Sequence, residues 1–422
     1  MRAAVGAAVH TEPTGVQQNV AGLAADGLLG QLNVLCAARS RRDGGSVLWT
    51  MGQGGHALAA LPRAAGMVDT GPLAYVQLPA ADVDADAMAG LIDESHAVHR
   101  LAAADDGSAT LVAVRENGDV VVLENCGEDS GRGARVARVF ANDGQSTWGA
   151  AAHRAEDGRL LVAVSANSHA ITLFAGGEHE GEHPALLVGQ HEHNIPCVCF
   201  SPDVQYLASA SIDQHVCVWR VPSNAGAPAP PPTPCARIRL DEWCWAVAWV
   251  TVPLPPAAHE PRADGASPPS LLQRLATRLT GAAAEDPAPA DAPLLQPADA
   301  DPAAPKLLAT TRDKVYLLEW RGEALHCVCS LRPATSPAWV HVLRRWALLE
   351  WIPELCVAVV ANTGTGDMHV LEVTEDALTS VYQYHGCPAL GLTHTVAAAS
   401  TGPVAQVCME DEEMEEMRDR AR

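Results

Sequence analysis

The feature that most constrains this chain is a hairpin that recurs along it. Residues 111–123 read LVAVRENGDVVVL, 160–174 read LLVAVSANSHAITLF and 206–219 read YLASASIDQHVCVW. In each, an apolar strand meets a short polar turn, and a second strand closes on a bulky residue. KLLATTRDKVYLLEW at 306–320 and LCVAVVANTGTGDMHVL at 355–371 repeat the theme, and 32–49 is a looser copy. Six such hairpins predict an all-β, radial array of blades.

The strand before each hairpin gives a second register. Ile195, Val198 and Phe200 precede Trp219; Trp148, Ala151 and His153 precede Phe174; Cys244, Val247 and Trp249 precede Trp320; Val98, Leu101 and Ala103 precede Leu123 more weakly. The interval is 24 residues from Ile195 to Trp219 (219 minus 195) but 76 from Cys244 to Trp320 (320 minus 244), so the latter contains an insertion. Of the 30 prolines, 18 lie between Pro222 and Pro305. Because proline removes a ladder donor, 251–305 is expected to be a mobile, disordered Pro/Ala-rich loop, with Cys235–Leu240 as the outer strand of its repeat. Inside the loop, Ser270 caps a leucine stripe of Leu271, Leu275 and Leu279 that stops at Gly281. That pattern reads as a short helix packed on its own sheet or as a docking motif.

Removing 251–305 leaves 367 residues, 422 minus 55. At about 40 to 45 residues per four-stranded blade plus loops, that suits seven blades. The seventh is expected from 390–408 together with the N-terminal segment, so that 1–408 form a single domain. The acidic tail 409–422 holds seven acids and three arginines.

Lys and Arg total 28 against 50 Asp and Glu, a net charge of −22. This disfavours direct nucleic-acid binding and favours basic partners. The sequence contains no apolar run of transmembrane length, and its start is too interrupted for a secretion signal. The 12 cysteines, spread out and mostly within apolar runs, read as reduced thiols in an intracellular setting, nucleus and cytoplasm.

Residues 190–219, QHEHNIPCVCFSPDVQYLASASIDQHVCVW, closely resemble a WD40 repeat. The resemblance implies a seven-bladed WD40-type β-propeller with a structural hydrogen-bonded network of His191, Ser209 or Ser211, Asp213 and Trp219. Arg220 stands where the second letter of the WD pair would be. Over roughly 145–371, apart from the loop, the chain is similar to the fungal family of constitutive regulators of ribonucleotide reductase gene transcription. The residues carrying that similarity are Ser146-Thr147-Trp148-Gly149, AVSANSHAITLF, HNIPCVCFSPD, DEWCWAVAW and WIPELCVAVVAN. It implies a scaffold that modulates reductase expression through protein partners. It also leaves open a substrate adaptor of a cullin-type ubiquitin ligase or a general assembly scaffold.

Candidate chemistry is sparse. His179, His183, His191 and His193 alternate with glutamates but lack fixed ligand spacing, so they read as a solvated loop and no metal is expected. Cys197 and Cys199, like Cys327 and Cys329, should fall on one face of a strand and fill the core. No phosphate loop, nucleophile elbow or dinucleotide fingerprint is present, so neither enzyme activity, nor a cofactor, nor a small-molecule substrate is expected. A propeller-fold enzyme is the weaker alternative. The binding expectation rests on tryptophan: Trp148, Trp243, Trp245 and Trp249 are placed at the starts of innermost strands, bordering one mouth of the channel. In Trp243-Cys244-Trp245, the two indoles share a face opposite Cys244. Trp148, Trp243 and Trp245, with the leucine stripe, are therefore the candidate partner-binding residues.

Overall fold

The structure, a computed structural model, describes residues 35–39, 46–51, 57–61, 74–78, 98–104, 109–127, 133–155, 157–176, 185–222, 232–251, 254, 304–336 and 345–384. Within them, strands assemble into antiparallel groups of four in chain order, the fourth and fifth groups being joined at their outer strands by one parallel pair, Arg237 with Ala324. The first blade contains β1 (Leu35–Arg39), β2 (Ser46–Met51), β3 (Ala57–Leu61) and β4 (Ala74–Gln77). The second contains β5 (Val98–Ala103), β6 (Leu111–Arg115), β7 (Asp119–Glu124) and β8 (Arg135–Ala141). The third contains β9 (Thr147–Arg154), β10 (Leu160–Ala166), β11 (Ala170–Gly176) and β12 (Ala185–Gln190). The fourth contains β13 (Cys197–Phe200), β14 (Tyr206–Ala210), β15 (His215–Arg220) and β16 (Ala236–Arg239). The fifth contains β17 (Cys244–Val250), β18 (Lys306–Thr311), β19 (Val315–Arg321) and β20 (Ala324–Leu331). The sixth contains β21 (Trp346–Ile352), β22 (Val357–Asn362), β23 (Met368–Val373) and β24 (Leu378–Tyr384).

The first strands of successive blades pack side by side, β1 on β5, β5 on β9, β9 on β13, β13 on β17 and β17 on β21. This is a β-propeller. The middle strands are buried on both faces, and strand alternation divides their residues between two interfaces. In β7, Val121 and Leu123 join the core shared with the first blade, around Trp49, while Val120 and Val122 join the core shared with the third, around Phe140 and Phe174. That division explains the unbroken apolar runs of the sequence. The far side of the sixth blade carries a further buried cluster of Leu348, Ile352, Val359 and Met368. It is the face a seventh blade would cover. The segments expected to supply that blade, like the tail 409–422, lie outside the described residues, as does nearly all of 251–305 with Leu271, Leu275 and Leu279.

The turns repeat as well as the strands. Gly118, His169 and Gln214 occupy the same position between the second and third strands of their blades, each with positive φ (87°, 65° and 75°). Their N–H groups reach back to the carbonyls of Arg115, Ala166 and Ser211.

Three expectations are corrected. Residues 32–49 are not a copy of the middle hairpin: Leu35 pairs with Thr50 and Arg39 with Ser46, so this is the inner hairpin, and Trp49 stands one strand earlier than Trp219 does. Trp249 is not at the mouth, because it sits near the end of β17 and donates to the carbonyl of Cys199 at the opposite rim. Cys327 and Cys329 do not share a face, because a bulge pairs Cys329 with Leu317 and Cys327 with Leu318. The skipped Val328 inverts the alternation and leaves Cys327 exposed.

Candidate functional site

In a four-stranded antiparallel blade, the start of the first strand, the turn between the second and third, and the end of the fourth share one face. That face therefore collects the turns 116–118, 167–169, 211–214 and 312–314 with the segments entering β9, β13, β17 and β21.

The fourth blade builds a continuous hydrogen-bond chain there. The buried indole Nε1–H of Trp219 donates to Ser209 Oγ at 2.8 Å, and Ser209 Oγ lies 2.8 Å from His191 Nε2. His191 Nδ1 lies 2.8 Å from Asp213 Oδ2. A carboxylate can only accept, so Nδ1 carries the proton and Nε2 accepts from the serine hydroxyl. Asp213 also accepts from the backbone N–H groups of Glu192 (3.0 Å) and His215 (2.9 Å). Burial alone would raise its pKa, but the hydrogen bond from His191 and these two backbone donors together hold the carboxyl far below the usual range. Ser209, rather than Ser211, is the serine of this network; Ser211 instead donates to the carbonyls of His193 and Asn194. Gly189 lets the chain approach the indole, since a Cβ there would lie 2.8 Å from the Trp219 ring.

Turn-for-turn alignment shows the network replaced as a unit elsewhere. In the third blade, Ser209, Asp213 and Trp219 correspond to Val164, Ser168 and Phe174; in the second, to Ala113, Asn117 and Leu123. Phe174 instead stacks on Phe140 at 4.9 Å. Losing the serine hydroxyl and the indole together leaves neither without the other as a partner, whereas losing one would. In the fifth blade Ala309 pairs with Tyr316 as Ser209 pairs with Cys217, so Leu318 stands at the place of Trp219; Trp320 lies two residues beyond it, and its N–H turns to the carbonyl of Gly322.

The mouth carries two aromatic clusters. In one, Trp148 stacks on His99 (centroids 5.6 Å apart) and donates to Ser146 Oγ at 2.9 Å. Ser146 in turn donates to Glu116 Oε2 at 2.7 Å, and His99 Nε2 also contacts that oxygen. Ser, His and Glu are hydrolase residue types. Here, however, serine and carboxylate both meet Nε2, so the acid does not orient the ring from its far nitrogen as a nucleophilic relay needs. Neither His99 nor Glu116 stands in a sequence motif that marks it.

In the second cluster, Trp243 is 50% exposed and Trp245 only 4%. Their rings meet edge to face at 6.4 Å, and Arg345, entering β21, places its guanidinium carbon 3.9 Å over the Trp245 ring. Burial lowers the Arg345 pKa to about 10. The insertion 251–305 joins the sheet after Val250 and before Lys306, at the rim opposite these tryptophans. Trp351 donates to Thr251 Oγ1 at 3.1 Å, and Leu254 is buried between the fifth and sixth blades.

Of the histidine-rich stretch, His179 and His183 lie outside the described residues, and exposed His193 stacks on His169 at 5.6 Å. Cys197 is buried and Cys199 packs beside it against the fifth blade.

Residues 185–220 match the family described as WD domain, G-beta repeat. Over 147 residues, 34% of this chain, the sequence is 36% identical to a WD40 repeat-containing protein of Dictyostelium discoideum. The chain spans about a fifth of that relative's length, 19%. Among solved structures it is similar to Chaetomium thermophilum Sqt1 bound to the N-terminus of ribosomal protein L10, at 13% identity and a TM-score of 0.49, over 83% of this chain and 74% of that one. The chain carries a WD40 repeat, which spans the last strand of the third blade and the first three strands of the fourth blade of a β-propeller.

Proposed function

We propose that the protein is a non-catalytic scaffold that grips protein partners at the mouth lined by Trp148, Trp243 and Trp245. The observation that carries this reading is Trp243, a large indole left half in solvent against a buried partner ring. An exposed aromatic anchor on a rigid rim is the arrangement in which single side chains dominate protein association. The net charge of −22 favours partners with basic surfaces and opposes direct contact with nucleic acid. The resemblance over 145–371 supports a role, in nucleus and cytoplasm, in modulating ribonucleotide reductase gene transcription through a bound regulator.

Co-purification of the intact chain and its Trp243→Ala variant, with reductase transcripts measured on deletion, tests this. Loss of a partner in the variant and altered transcripts on deletion are the expected results. Full partner retention by a folded variant would remove the mouth from the proposal, and unchanged transcripts would remove the reductase role.

A further inference from the structure

We propose that Arg345 and Trp245 form a receptor for a single carboxylate on a partner protein, set beside an apolar contact with Trp243. This rests on the protein-binding reading of the mouth and names its chemistry. Arg345 Nε and Trp245 Nε1 are both buried donors with no acceptor, and the Arg345 guanidinium carbon lies 3.9 Å from the centre of the Trp245 ring. Buried donors ordinarily find partners, and leaving one unmet costs on the order of 1–3 kcal/mol. Other cations of this face are engaged: Lys314 is bonded to Asp241, and Arg332 lies 3.8 Å from Asp313. Among the described residues no carboxylate pairs with Arg345. An acid of a bound partner would supply that acceptor. One guanidinium and one indole N–H match the two oxygens of a carboxylate, whereas a phosphate dianion would bring twice the charge to a chain of net charge −22. The edge-to-face Trp243 ring, half exposed, offers its surface to an apolar side chain next to that acid. The global charge still selects a partner with a basic surface; this receptor fixes one acidic residue within it.

The test is a titration of the full ¹⁵N-labelled chain at constant ionic strength, followed at the Trp245 indole and Arg345 Nε–H signals. Three blocked peptides are compared: acetyl-Leu-Glu-Leu-amide, its glutamine twin and its phosphoserine twin. The glutamate peptide is expected to shift both signals saturably, with the glutamine twin about tenfold weaker, the difference between a charge-assisted and a neutral hydrogen bond. Arg345→Gln should abolish the shift while the Trp219 indole signal stays in place, showing that the fold is intact. Absence of a saturable shift with all three peptides, or equal shifts in Arg345→Gln, would overturn the site. Tighter binding of the phosphoserine twin would overturn the carboxylate assignment. Partner loss in Trp243→Ala alongside a silent titration would leave the scaffold standing without this receptor.

Discussion

The fourth blade and the rim between the fifth and sixth blades use the same residue types to opposite ends. In the fourth, Trp219, Ser209, His191 and Asp213 hand hydrogen bonds along a closed chain with no polar end left over. At the rim, Trp245 Nε1 and Arg345 Nε are also buried, yet they meet no acceptor. A satisfied buried network fixes strands relative to one another and has nothing left for a ligand. An unsatisfied network at an open rim, unlike that wall, carries a standing cost that a ligand can relieve.

The largest predicted break in this contrast comes from opening the closed chain. His191→Ala should cost about 3 kcal/mol in urea unfolding, because it strands a buried carboxylate. Acid should do the same. The Asp213 pKa is depressed in the folded state, so its contribution is fully present above the unfolded value of about 3.9 and is lost as pH falls from there toward the lower folded value. Asp213→Asn should flatten that part of the stability–pH curve; an unchanged acid limb would disconnect the carboxyl from stability.

Next comes the close approach at Gly189. Gly189→Ala puts a methyl 2.8 Å from the Trp219 ring and should cost about 2 kcal/mol by thermal unfolding. Trp219→Phe keeps most of the ring but removes the first donor, and should cost about 1 kcal/mol. The smallest effect belongs to the rim: Trp243→Ala should change stability by less than about 0.5 kcal/mol while removing binding. A loss as large as that of His191→Ala would make Trp243 part of the wall.

Much of the wall is legible in the sequence because its cues are local. The turns ending at Gly118, His169 and Gln214, the apolar runs and the His191-to-Trp219 spacing each lie within one blade. Features that depend on where strands begin, end or slip are not. Trp249 is two residues past Val247 in the same apolar run, and only the length of β17 carries it to the far rim. Cys327 is turned outward by a bulge that leaves no mark in composition. The first blade repeats the hairpin pattern one strand out of phase, since inner and middle hairpins are equally apolar there. Arg345 is the clearest omission: its partner Trp245 belongs to the neighbouring blade, and nothing beside Arg345 in sequence points to it.

The contrast between wall and rim is tested most directly by hydrogen exchange of the indole N–H groups of Trp219 and Trp243, read in one spectrum of the intact protein. The Trp219 proton, buried and bonded to Ser209, should exchange only through global unfolding, with a denaturant dependence equal to that of the whole chain. The Trp243 proton should exchange without it, at a rate near that of a free indole. Comparable rates for the two, or exchange of Trp219 independent of denaturant, would contradict the account.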